Sequence, residues 1–182
     1  MESGVRSLEE KVKHTISVLV ENKFGVLARV AGLFSARGYN IDSLAVGETE
    51  DPAVSRMTIV VEGDEKTLEQ IKKQLNKLID IIKVVDFKEG EFVDRELVMV
   101  KVSVTAKNRK EAIEAIDSVG ARVVNAGARS ISAEAVGDHN KIHALLELLR
   151  PFGMMEVVRT GRIAMSIEDK GLKADGKPEV NE

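Results

Sequence analysis

Residues 14–41 read HTISVLVENKFGVLARVAGLFSARGYNI, and this stretch decides the fold. From Thr15 to Glu21 the apolar side chains Ile16, Val18 and Val20 fall on alternate positions, the two-residue period of a strand. At Gly25 the period changes. Val26, Leu27, Val30, Leu33 and Phe34 recur every three or four positions, which makes one apolar helix face that Arg37-Gly38 ends.

Outward from this stretch the alternation resumes. Ile41–Val46 and Ser55–Glu62 read as strands joined by the acidic, turn-forming GETEDPAV. A helix runs from Glu65 to about Leu78, with Leu68, Ile71, Leu75 and Leu78 as its stripe and Glu69 four residues before Lys73. Ile81–Phe87 closes a βαββαβ unit. The order then repeats: strand 97–105, helix 107–118 ended by Gly120, and strands 122–125 and 129–136 around Ala126-Gly127. A helix capped by Asp138 and stopped by Pro151 follows, and then strand 154–160. The sequence therefore predicts an α+β chain of two tandem ferredoxin-like units. Each is a four-stranded antiparallel sheet with two helices on one face, and EGEFVDRE at 89–96 links them. One sheet face of each unit is expected to lie uncovered, carrying Leu19 and Thr58 in the first, and to seek a neighbour. The polar leader at residues 1–13 has no apolar core of a secretory signal, and the charged 169–182 is expected to be a disordered tail.

Composition narrows the function. There are 27 Lys+Arg against 30 Asp+Glu, a single Tyr and no Trp, so neither the basic surface nor the stacking aromatics of a nucleic-acid binder are present. No apolar run approaches the ~20 residues of a bilayer helix. Without cysteine there is neither disulfide nor thiol chemistry, and the expected location is the cytoplasm.

Catalytic patterns are absent. The sequence contains no GxGxxG, GxxxxGK[ST] or GxSxG motif. His139 and His143 lie four apart on one predicted helix, but a metal pair would need a third ligand, and a solvated helix face is favoured over a metal site. The carboxylates read as solvated. The informative place is instead the first strand-to-helix junction. There the amides of Gly25, Val26 and Leu27 have no intrahelical acceptor at the positive end of a helix dipole, a site for an anion such as a carboxylate. Asn22 offers a carbonyl and an amide to the same ligand; on spacing alone the favoured reading is that it caps the helix while Gly25 permits the turn. Asn40, at the far end of that helix, reads either as a turn residue or as a second contact. Two antiparallel protomers could bring it to the first site.

Three motifs, LFSARGYNIDSL at 33–44, DPAVSRMTI at 51–59 and KQLNKL at 73–78, together with the whole of 17–84, resemble the N-terminal ACT domain of acetolactate synthase (acetohydroxyacid synthase) small regulatory subunits. DRELVMVKV at 94–102 looks like the start of that family's C-terminal ferredoxin-like domain. The resemblance implies an ACT domain at 14–90 for effector binding and dimerisation, and a C-terminal domain at 95–168. It implies a non-catalytic subunit that activates a catalytic large subunit and confers feedback inhibition by L-valine or related branched-chain amino acids. Thiamine diphosphate, Mg2+ and FAD are expected in that partner, with no cofactor or metal in this chain. By motif, Asn22, Gly25, Val26 and Leu27 of one protomer would hold the amino acid, with Asn40 and Ile41 approaching from the other protomer of a homodimer. The sequence departs from the family at Lys23-Phe24, where a bulky aromatic stands beside the site. The alternative is a free-standing ACT-type amino-acid sensor acting on a different partner; no helix-turn-helix or basic arm suggests DNA as its target.

Overall fold

The structure, a computed structural model, describes residues 12–168 and 171–172. The strands are β1 (Val12–Glu21), β2 (Ile41–Glu48), β3 (Val54–Gly63), β4 (Ile81–Phe87), β5 (Phe92–Ser103), β6 (Arg122–Ala126), β7 (Ser130–Gly137), β8 (Met154–Arg159) and β9 (Ile163–Ser166). The helices are α1 (Val26–Ala36), α2 (Glu65–Leu75), α3 (Arg109–Ser118) and α4 (His139–Leu149). The chain divides into two compact units. One is formed by the described residues up to Phe92 together with those from Ser166 onward, the other by Val93–Met165. The α+β class and the tandem antiparallel arrangement agree with the sequence reading.

In the first unit the strand order is β2-β3-β1-β4. The β1–β3 ladder is continuous, from Val12 opposite Gly63 to Glu21 opposite Val54. Because opposite residues share a face, Ile16, Val18, Ile59 and Met57 meet the helices. There Val26, Val30, Leu33 and Phe34 of α1 and Leu68, Ile71 and Leu75 of α2 complete one core. Asp64 starts α2 by accepting the Thr67 amide at 2.7 Å. Lys72, rather than the anticipated Lys73, pairs with Glu69 at 3.0 Å, one helical turn away. This hydrogen bond holds the Lys72 ammonium above, and the Glu69 carboxyl below, its ordinary pKa.

Two expectations change here. The opposite sheet face is not open: Leu19 is 1% and Thr58 2% exposed, and Thr15, Ser17 and Val60 are buried with them. On that face the Arg56 guanidinium donates to the Leu172 carbonyl at 3.1 Å, so Leu172 lies with the first unit. Leader residues Val12 and Lys13 belong to β1, paired with Gly63 and Glu62; residues 1–11 and most of 169–182, expected as leader and tail, lie outside the described residues.

The second unit repeats the plan with order β6-β7-β5-β8. Val98, Val100 and Val102 face Ile116 of α3 and Ile142, Leu145 and Leu149 of α4 across one core. Asp138 caps α4 as expected, taking the Lys141 amide at 2.8 Å, and Pro151 lies in the 3-10 turn after it. This sheet has five strands instead of four, because β9 adds to β5. Nor is 89–96 a plain linker. From Phe92 it is already strand; Phe92 stacks on Phe87 with centroids 5.2 Å apart, and Asp94 pairs with Arg162 at 3.0 Å. A four-residue strand and a charged strand end carry too little apolar periodicity to be seen in sequence.

Ile71 is fully buried between helix and sheet. Ile71→Ala is therefore expected to cost about 2–5 kcal/mol, read as a lower midpoint in urea unfolding followed by circular dichroism.

Candidate functional site

The junction between β1 and α1 is held by the main chain on two sides. Glu21 N donates to the Asp80 carbonyl at 2.9 Å, just before β4, and Asn22 N donates to the Ala53 carbonyl at 2.7 Å, at the tip of the β2–β3 hairpin. These bonds end the strand and turn the chain toward the helix. Gly25 then takes φ 80°, ψ −4°, a left-handed conformation that glycine adopts without the Cβ penalty, and α1 begins at the next residue.

Each residue singled out in the sequence has a definite place. Asn22 does not cap α1, which has no side-chain cap. Its Nδ2 donates instead to Glu48 Oε1 at 3.0 Å and to the Pro52 carbonyl at 2.9 Å, pinning the hairpin tip beside the junction. Both amide hydrogens are thereby used, which leaves Oδ1 as the side chain's remaining acceptor. The Val26 amide reaches the Lys23 carbonyl at a long 3.4 Å, so it is less free than its position in the sequence suggests. The amides of Gly25 and Leu27 have no backbone acceptor among the described residues. Val26 points into the core, so only its main chain can serve a ligand; Leu27 is 45% exposed and supplies apolar surface beside the open amides. Phe24 is fully exposed.

Asn40 lies beyond the C-terminal end of α1 and donates to Asp42 Oδ1 at 2.9 Å. An eleven-residue helix separates it from Asn22, about 16 Å along the axis, so one chain does not bring the two asparagines together. Ile41 starts the edge strand β2 opposite Val61 and leans on the core, which leaves only part of its side chain for any other contact.

Two residues near the junction escaped the sequence reading. Arg29, one helical turn after Gly25, donates from Nε to Asp80 Oδ2 at 2.7 Å. Its Nη1 stands 3.2 Å from where a Cβ on Gly25 would be. The four-residue spacing on one helix face could have flagged Arg29, but nothing local connects it with Asp80, 51 positions away. Elsewhere, His139 and His143 stand with ring centroids 6.2 Å apart, and His14 meets the Gly63 carbonyl at 3.1 Å. No group of three or more metal-ligating side chains occurs among the described residues, and none of their helices is long and apolar enough to cross a membrane.

A side chain at Gly25 would be strained by the positive φ and crowded by Arg29. Gly25→Ala is accordingly expected to lower stability by about 1–2 kcal/mol, measured as a fall in melting temperature.

Comparison with known proteins places this geometry in context. Residues 16–83 match the family described as AHAS small subunit-like ACT domain, and residues 95–168 that described as small subunit of acetolactate synthase. The chain is 51% identical over 159 residues to the acetolactate synthase small subunit of Mycobacterium leprae, covering 87% of this chain and 94% of that one. It is 52% identical over 154 residues to a probable acetolactate synthase small subunit of Archaeoglobus fulgidus, covering 85% and 96%. The crystal structure of the small subunit from Thermotoga maritima is similar, with a TM-score of 0.79 and 35% identity over 87% of this chain and 99% of that one.

Proposed function

The chain belongs to the family of acetolactate synthase small subunits, and from that premise we propose that it is the regulatory subunit of such a synthase, binding the catalytic subunit and making it responsive to a branched-chain amino acid, chiefly L-valine. Thiamine diphosphate, Mg2+ and FAD would belong to the catalytic partner. This chain would contribute binding and a conformational change in the cytoplasm, with no chemistry of its own.

The observation that carries this reading is the pair of unsatisfied amides at Gly25 and Leu27, at the positive end of an eleven-residue helix. A zwitterion fits the corner in a definite sense. Its carboxylate takes the amides, where the helix dipole adds stabilisation. Its ammonium donates to Asn22 Oδ1, the side-chain acceptor left once Glu48 and Pro52 have taken both Nδ2 hydrogens. Its isopropyl group lies on the exposed Leu27. Asn40 and the free part of Ile41 would enter from the second protomer of a homodimer, since their own chain holds them at the far end of α1. A ligand shared by two chains changes the balance between their arrangements only if it prefers one of them, and couplings of roughly 5- to 150-fold are usual.

Calorimetric titration of the full chain with L-valine tests the reading. Binding is expected for the wild type. Asn22→Ala, which removes the ammonium acceptor and frees the hairpin tip, should weaken it about tenfold or more. Gly25→Asp should weaken it further, by setting a carboxylate where the ligand's carboxylate lies. In the reconstituted synthase, both variants should resist valine inhibition while still raising catalytic activity. Wild-type affinity in both variants would refute the site.

A further inference from the structure

The guanidinium of Arg29 borders the Gly25 corner and is held there by one bond. Helical side chains lean toward the N-terminus, so Arg29, whose own amide donates to the Gly25 carbonyl at 3.0 Å, projects back over the turn that Gly25 opens. Its Nε is fixed by Asp80, whose side chain is only 10% exposed, while Arg29 itself is 48% exposed. This contact uses one of the five N–H donors of the guanidinium. Nη1 is turned toward Gly25, 3.2 Å from the place a Cβ would take. Because residue 25 is glycine, that place is open. The other charges at the junction are already paired: Lys23 lies 3.2 Å from Glu21, and Glu48 accepts from Asn22. Arg29 is thus the cation turned toward Gly25, with donors beyond the one that Asp80 takes.

We propose that Arg29, oriented by Asp80, is the cationic anchor for the carboxylate of the amino-acid effector at the Gly25–Leu27 amides. The inference rests on the effector site proposed above and adds its charge-selecting residue. An amide corner alone favours any acceptor-bearing ligand, whereas a guanidinium beside it favours an anionic oxygen through a charge-assisted hydrogen bond. Asp80 is the positioning residue. Its main-chain carbonyl ends β1 through Glu21 and its carboxylate aims Arg29, so a single residue sets both the turn and the charge that looks into it. The same geometry explains why an acidic residue at position 25 would be doubly harmful: it would repel the ligand and occupy Nη1.

The test compares L-valine with L-valinamide, which keeps the amine and the isopropyl group but lacks the carboxylate. Both are titrated calorimetrically into the full chain as wild type, Arg29→Gln, Arg29→Lys and Asp80→Asn. The wild type should prefer valine over valinamide by roughly 10- to 100-fold, the scale of a hydrogen bond to a charged group. In Arg29→Gln that preference should fall at least about tenfold, with valinamide affinity little changed, and Asp80→Asn should show a smaller fall in the same direction. A merely structural Arg29 would lower both affinities together and leave their ratio intact, which would overturn the proposal. Arg29→Lys, which keeps the charge, should retain part of the preference; if Arg29→Gln does not keep the wild-type circular dichroism spectrum, Asp80→Asn is read by the same ratio, a lowered ratio supporting the anchor and an unchanged one refuting it. Absence of valine binding by the wild type would overturn the effector site itself and the anchor with it. Wild-type binding with an unaltered ratio in every variant removes the anchor alone.

Discussion

The hydrogen bond from Glu21 N to the Asp80 carbonyl, together with the Asn22 bonds to the β2–β3 hairpin, fixes the corner at which the effector site is proposed. The strand must stop there, because its next amides are claimed by neighbouring turns rather than by a ladder. Gly25 then supplies the backbone rotation that starts α1. That rotation puts Val26, Val30, Leu33 and Phe34 onto the sheet. Burial of this face holds α1 in place and thereby keeps the open amides at its start fixed. Local geometry and core packing are therefore two consequences of one turn, and the proposed site inherits both.

The second unit shows what happens when the same topology lacks that turn. Its first strand-to-helix junction runs through Thr105–Asn108, where Asn108 Oδ1 accepts from the Thr105 amide at 2.7 Å and no glycine with positive φ intervenes. The arginine at that helix start, Arg109, is committed to the carbonyls of Gly127 and Ala128 in the β6–β7 turn. One βαββαβ plan thus yields two differently built junctions, one turned by Gly25 and one tied by Asn108 and Arg109. Fold alone does not assign the proposed effector role; that proposal rests on the residues at the junction.

Most of the architecture was legible because the periodicities are clean. Ile16, Val18 and Val20 announce β1, the stripe of α2 announces its buried face, and Asp138 and Pro151 bracket α4. What escaped was either short or distant. Strand β9 has four residues and no period to detect, and the strand beginning at Phe92 is masked by Asp94 and Arg95. At the candidate site the open amides followed from the start of the helix. The use of Asn22 as a clamp on Glu48 and Pro52 did not, because it needs contacts 26 and 30 positions away. The pairing of Arg29 with Asp80 was hidden for the same reason. Tertiary contacts decide which of an asparagine's or arginine's donors remain for a ligand, and that selection is not written in local spacing.

A crystal structure of the full chain grown with L-valine decides whether the Gly25 corner holds the effector. One valine is expected at the start of α1, its carboxylate within hydrogen-bonding distance of the Gly25 and Leu27 amides and of Arg29 Nη1, with Asn40 of a second chain on the opposite side. Valine bound elsewhere on the chain, with that corner filled by solvent, would contradict it.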